Sequence, residues 1–157
     1  MNFGSRRMSR TLTFKYVNDR YDGKLVPRPR VEIRLINGTN IFRIAMLVDS
    51  GADTSFIPKE VADILQLRLS EPKTSRSASG PFQTAHSTVK AELIKGGGSI
   101  PLGEIPIIVP LKSIDNNNLE SYALLGRFPF FRQFDVTFRE TTRKLILRSP
   151  KTHNHRS

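Results

Sequence analysis

A mostly β fold in a single domain is what this sequence predicts. Short runs of alternating Val, Ile, Leu and Phe recur between clusters of Gly, Pro, Asn and Ser, and strong helix formers do not dominate. The 157 residues, 38% hydrophobic and 25% charged, suffice for one buried core and argue against wholesale disorder. Third, Asn37-Gly38 lies between two alternating apolar runs and matches the type I′ hairpin turn, which takes two positive φ angles.

Taken in order, residues 1–10 form a basic, disordered lead carrying Arg6, Arg7 and Arg10. Thr11 to Val17 alternates Leu12, Phe14 and either Tyr16 or Val17 with polar neighbours, a first strand. Asn18 to Gly23 is a turn-rich break, and Pro27 and Pro29 delay the next element. Val31, Ile33 and Leu35 then share one strand face, Asn37-Gly38 turns the chain, and Ile41 to Val48 returns. Pro58 to Leu67 reads as a helix: Pro at its start, Glu60 in its first turn, and Val61, Ile64 and Leu65 on one side. Ser70 to Ser87 is polar, with its sharpest turn signal at Gly80-Pro81. Thr88 to Ile94 alternates again, Gly96-Gly97-Gly98 turns, and Ile105 to Leu111 is a strand interrupted by Pro106 and Pro110. Asp115 to Asn118 is a loop. Tyr122 to Arg127 is an apolar run ending in Gly-Arg, Pro129 to Gln133 a short helix, Phe134 to Phe138 a strand, Glu140 to Arg143 a turn and Lys144 to Arg148 the last strand. Residues 11–149 make the domain and 150–157 a basic tail.

Composition removes several chemistries. Without cysteine there is no disulfide scaffold, thiolate zinc site or cysteine nucleophile. His86, His153 and His155 are scattered or in the tail, so neither a metal nor another cofactor is expected. Gly96-Gly97-Gly98 lacks the Gly-Lys-Ser/Thr ending of a phosphate loop, and no serine sits in a nucleophile elbow. No stretch reaches the ~20 apolar residues of a membrane span, and no unbroken apolar segment follows the leading arginines, so the expected location is cytoplasmic. Asn37-Gly38-Thr39 is a formal glycosylation sequence that turn chemistry explains better. The net charge of +11 would attract nucleic acid, acidic lipid or acidic polypeptide. Part of it lies in the tails, and no basic stripe with interleaved aromatics is visible between them, so nucleic acid is expected to bind only weakly.

The chemistry concentrates at Asp49-Ser50-Gly51, directly after the apolar strand Ile44 to Val48. A carboxylate at the end of a buried strand, on a loop of the smallest residues, can face a cleft that a substrate backbone can approach. With Ala52-Asp53 after it and Leu124-Leu125-Gly126-Arg127 late in the chain, the pattern resembles the retroviral-type (retropepsin-like) aspartic proteases, single-lobed relatives of pepsin. The resemblance covers about residues 30 to 148. It implies an all-β, retropepsin-like barrel with a short helix after the active loop and another after the Leu-Leu-Gly-Arg motif. It also implies an aspartic endopeptidase in which Asp49 is catalytic and Ser50 braces the paired loops across a dimer. Gly51, Ala52 and Asp53 would hold the substrate backbone, and Asp53 and Arg127 would form a structural ion pair. Ser70 to Thr88 would be a flap whose tip, at Ser79 and Gly80, touches substrate.

One such motif implies two chains. Hydrolysis by this route needs one carboxylate to take a proton from water while another donates one to the carbonyl oxygen. Two close carboxylates cannot both ionise and so share a proton. A twofold axis would set Asp49 opposite its own copy, making a homodimer that acts on polypeptide substrates. The resemblance places Phe134 to Phe138 and Lys144 to Arg148 in that interface. Two other readings compete: a dimeric peptide-binding module of the same fold without turnover, and a basic nucleic-acid-binding protein. The bland reading makes Asp49 a turn residue, and Phe128-Pro129-Phe130-Phe131 reads better as core or dimer packing than as a ligand box.

Overall fold

The computed structural model describes residues 10–114 and 116–150. Its strands are β1 (Thr11–Lys15), β2 (Val17–Tyr21), β3 (Lys24–Arg28), β4 (Arg30–Asn37), β5 (Asn40–Val48), β6 (Ser55–Phe56), β7 (Lys73–Ser77), β8 (Gly80–Lys95), β9 (Gly98–Pro110), β10 (Leu124–Leu125), β11 (Asp135–Arg139) and β12 (Lys144–Arg148). The helices are α1 (Lys59–Ile64), α2 (Phe130–Gln133) and a 3₁₀ turn at Asn116–Tyr122.

Side-chain alternation decides which strand faces meet. Val31, Ile33 and Leu35 of β4 and Ile44, Met46 and Val48 of β5 are all buried, as expected for half-buried antiparallel strands. The main sheet runs β4-β5-β10-β6-β9-β8-β7, and an added β4–β8 pairing closes six of these strands into a barrel, with β7 left outside. Inside it Ile33, Leu35, Met46, Ile57, Leu93, Ile105, Ile107 and Leu125 have almost no exposed surface. This is the all-β, retropepsin-like barrel, with its two short α-helices after the Asp49 loop and after Gly126.

Several local expectations need correction. Asn37 pairs with Asn40, so the loop is Gly38-Thr39, with a positive φ of 59° only at Gly38. That is the glycine-first requirement of a II′ turn and not the two positive angles of I′. The Asn37 side chain instead donates to the carbonyls of Leu65 (2.9 Å) and Gln66 (3.2 Å), and Asn40 to that of Leu65 (3.3 Å). These bonds satisfy carbonyls at the end of α1, which stops at Ile64 because Gln66 turns left-handed at φ 53°. Ile64 is exposed, and Ala62 joins Val61 and Leu65 in the core instead.

The 18–23 break is mostly strand β2, paired to β3 in a hairpin that accommodates Pro27 because no further strand flanks it. Residues 116–122 form a 3₁₀ turn that takes in most of the loop expected over 115–118, and Asp115 lies outside the described residues, as do residues 1–9 and 151–157 of the two expected tails. β8 begins at Gly80 and β9 at Gly98, both far earlier than their apolar alternation suggests.

The two ends of the chain meet in a separate sheet of order β1-β12-β11. Leu145 and Leu147 of the central strand are fully buried, with Phe14, Val136 and Phe138 beside them facing the core. Phe130 is buried against Phe134 (ring centroids 5.2 Å) and Phe131 (5.9 Å). The aromatic cluster after Gly126 is therefore largely core, with Phe128 left exposed. No helix among the described residues is long and apolar enough to cross a membrane.

Candidate active site

β5 delivers Asp49 at its carboxyl end, and β10 holds it there. β10 is only Leu124 and Leu125, running parallel to Leu47 and Val48 on one side and antiparallel to Phe56 of β6 on the other. The Leu47 amide donates to the Ala123 carbonyl (2.9 Å) and the Asp49 amide to that of Leu125 (3.0 Å). Beyond Asp49 the loop folds on itself: the Gly51 amide donates to Asp49 Oδ1 at 2.8 Å, which fixes the carboxylate relative to its own backbone. A side chain at Gly51 would bring a Cβ within 3.2 Å of that same oxygen. Asp49 is half-buried, whereas Ser50, Gly51 and Asp53 are exposed. Among the described residues the Ser50 hydroxyl has no hydrogen-bond partner.

The late Gly-Arg segment closes the far side of the loop. The Arg127 amide donates to the Ala52 carbonyl (2.8 Å) and the Phe128 amide to that of Asp53 (2.9 Å). Such close apposition requires Gly126, because a Cβ there would stand 2.5 Å from the Thr54 carbonyl carbon and oxygen and 3.0 Å from the Ala52 oxygen. The buried Gly126 amide finds the Ser55 hydroxyl at 3.0 Å, and Ser55 itself is fully buried. Ser55 is the positioning residue that sequence reasoning misses. Its only signal is a small hydroxyl residue heading the apolar pair Phe56-Ile57.

The expected ion pair is present but loose. Arg127 Nη1 lies 3.8 Å from Asp53 Oδ1, with side chains 62% and 93% exposed. An exposed pair of this length contributes at most about 1 kcal/mol.

Ser79 and Gly80 sit apart from this cluster. β7 and β8 form an antiparallel hairpin, Ser77 pairing with Gly80 across Ala78-Ser79, and Gly80 takes a φ of 114°. Hydroxyl contacts stiffen it: Ser77 to Ser79 at 2.9 Å, Ser75 to Thr84 at 3.0 Å, and Gln83 to Thr74 at 2.9 Å. Among the described residues no hydrogen bond or ion pair joins its tip to residues 49–53. The structure thus brings together Asp49, Ser50, Gly51, Ala52, Asp53 and Arg127, and leaves Ser79 and Gly80 on a separate exposed hairpin. No three His, Asp or Glu residues among those described are grouped so as to hold a metal ion.

Comparison with known proteins supplies the frame for this geometry. Among curated proteins, none matches. Among solved structures, a retropepsin-like aspartic protease from Rickettsia conorii superposes with a TM-score of 0.55 at 21% identity, covering 90% of this chain and 94% of that one. The EIAV protease in complex with the inhibitor HBY-793 is more distant, with a TM-score of 0.44 at 22% identity over 64% of this chain and 82% of that one. Residues 31–127 match the family described as aspartyl protease. That match runs from β4 through Arg127 and takes in both the Asp49 loop and the glycine that braces it, so the chain belongs to the aspartyl protease family.

Proposed function

We propose that the protein is an aspartic endopeptidase whose reacting groups are Asp49 and its copy in a second subunit. One observation carries the reading: a carboxylate oriented by the Gly51 amide, on an exposed loop of small residues, anchored through its backbone to Leu125. The described chain holds one such loop, and the sequence one Asp-Ser-Gly, so the second carboxylate has to come from a partner. In the dyad one carboxylate takes a proton from the attacking water while the protonated partner gives its own to the carbonyl oxygen. Collapse of the tetrahedral intermediate then returns a proton to the leaving amine. The pair titrates as a unit.

The remaining residues take supporting roles. Ser50, exposed and without a hydrogen-bond partner among the described residues, braces the facing loop. Gly51, Ala52 and Asp53 hold the substrate backbone, Arg127 and Asp53 remain scaffold, and Ser79 and Gly80 close over the substrate at the tip of the β7–β8 hairpin. Of the two segments expected in the dimer contact, β12 is paired on both sides within its own chain and β11 keeps an open edge, as does β1 on the other side of the sheet. Pairing through β11 would leave the rest of the terminal sheet in place.

The test is Asp49→Asn. The variant is expected to keep the wild-type melting temperature and native dimer mass while losing cleavage of a denatured protein by at least a thousandfold. Full activity in the variant, or activity in a species that sediments as a monomer, overturns the proposal.

A further inference from the structure

Folding brings together a charge cluster that the sequence keeps apart. Lys15 of β1, Lys144 of β12 and Arg139 of β11 are partners in adjacent registers, Lys15 with Lys144 and Lys144 with Arg139. They therefore stand abreast on one face of the terminal sheet, and all are exposed. With strands about 4.8 Å apart the row spans about 10 Å. The next row on this face is Thr13, Ile146 and Thr137, and the one beyond is Thr11, Arg148 and Asp135. Like charges directly opposite one another destabilise a sheet.

No carboxylate among the described residues pairs with the row: none of Lys15, Arg139 or Lys144 enters an ion pair there. Glu140, the nearest acid in sequence, accepts the Tyr16 hydroxyl at 3.0 Å. Asp135 lies at the other end of the face, across from Arg148. The opposite face of the sheet is packed into the core, so only this one is open.

We propose that this outer face docks on an anionic lipid surface. Charge sets the sign of the partner, and the shape and chemistry of the face favour a plane. Its cations lie on three neighbouring strands, the one row between them and Arg148 is Thr13, Ile146 and Thr137, and none of the residues in these rows is an aromatic that could stack on a base. Dimerisation through the β11 edge would leave the face open and double the number of cations presented, but the inference does not depend on it.

Co-sedimentation of the full-length chain with vesicles provides the test. The wild type is expected to bind vesicles of mixed phosphatidylcholine and phosphatidylserine and to ignore pure phosphatidylcholine. With each cation near the surface contributing about 1 kcal/mol, Lys144→Gln should weaken binding about fivefold, and the combined Lys15→Gln, Arg139→Gln, Lys144→Gln variant on the order of a hundredfold. Its melting temperature should hold or rise, since the like-charge row is gone. Lys15→Arg with Lys144→Arg should retain binding. Changing Arg6, Arg7, Arg10, Lys151 and Arg156 to Gln separates the chain ends from the sheet and should cost less than the sheet variant. A larger loss from the chain-end variant, tighter binding to duplex DNA than to the vesicles, or no vesicle binding by the wild type overturns the proposal.

Discussion

Gly126 shows how much one missing methyl group can organise. Its amide is held by the buried Ser55 hydroxyl, while the space a Cβ would fill is taken by the Thr54 carbonyl group at 2.5 Å. Backbone cannot yield as a flexible side chain does, so Gly126→Ala must push apart the Asp49 loop and the segment that braces it. Overpacking of this kind costs roughly 1–3 kcal/mol or more, and here the upper end is expected. A urea midpoint reads the loss. Cleavage should fall further than the fraction of folded protein does, because Arg127 and Phe128 hold Ala52 and Asp53 by their carbonyls. At this scale the sequence is informative about which residues matter and silent about why. Asp49, Gly51 and Gly126 stand out as motif letters, but the Ser55 hydrogen bond has no motif, since burial alone turns that hydroxyl into a brace.

Among the elements, β9 shows why prolines mislead a reader of the chain. Pro106 and Pro110 look like interruptions and Pro101 lies ahead of the expected strand, yet β9 runs unbroken through Gly98–Pro110. Their partners on β8 are Glu92, Thr88 and Thr84, spaced by four, so all three occupy the same phase of the ladder. The register shift between Ala91 and Glu92, which makes Leu102 the extra residue, keeps Pro101 in that phase. β6 flanks β9 only at Ile107 and Ile108, so the missing N–H groups break no bond on that side. The β2–β3 hairpin is likewise hidden in sequence because an ion pair to β4 helps to fasten it. Asp19 receives Arg30 Nε at 2.9 and 2.8 Å and Nη2 at 2.8 Å, while Arg30 Nη1 reaches the carbonyls of Ala45 (3.0 Å) and Glu120 (2.7 Å). The Arg30 side chain is 3% exposed, so Asp19→Ala would strand a buried cation. The expected loss is about 3 kcal/mol, and protection of the β2–β3 amides from hydrogen exchange should collapse before that of the barrel.

The closure of the whole molecule was the least accessible feature. Alternation marks β4, β5 and β12 well, but nothing local announces that β4 also pairs with β8 to complete the barrel, or that β1 lies beside β12. Those pairings depend on faces meeting across long stretches of chain, where loop-closure cost and core shape decide. Global stability carries one signature of the terminal sheet. Tyr16 is pushed up to about 12 from the usual 10.0, first by burial and then by its hydrogen bond to Glu140 and the charge of that group. A raised value means that the folded state holds the proton more tightly. The contribution is therefore complete below pH 10 and is lost as pH climbs toward 12. Tyr16→Phe should melt below the wild type at neutral pH, where it lacks the Glu140 hydrogen bond, and decline less steeply between those limits, as read by thermal unfolding across alkaline buffers.

The same sheet clasps the two ends of the domain: the Arg10 amide donates to Ser149 Oγ at 2.7 Å, and the Ser149 amide returns a bond to the Arg10 carbonyl at 2.9 Å. From Arg10 to Ser149 the domain is thus almost a ring. A short peptide joining Ser149 to Arg10, with the chain reopened between Ala78 and Ser79, would give a circularly permuted gene that reroutes no strand and places both new termini at the tip of the β7–β8 hairpin.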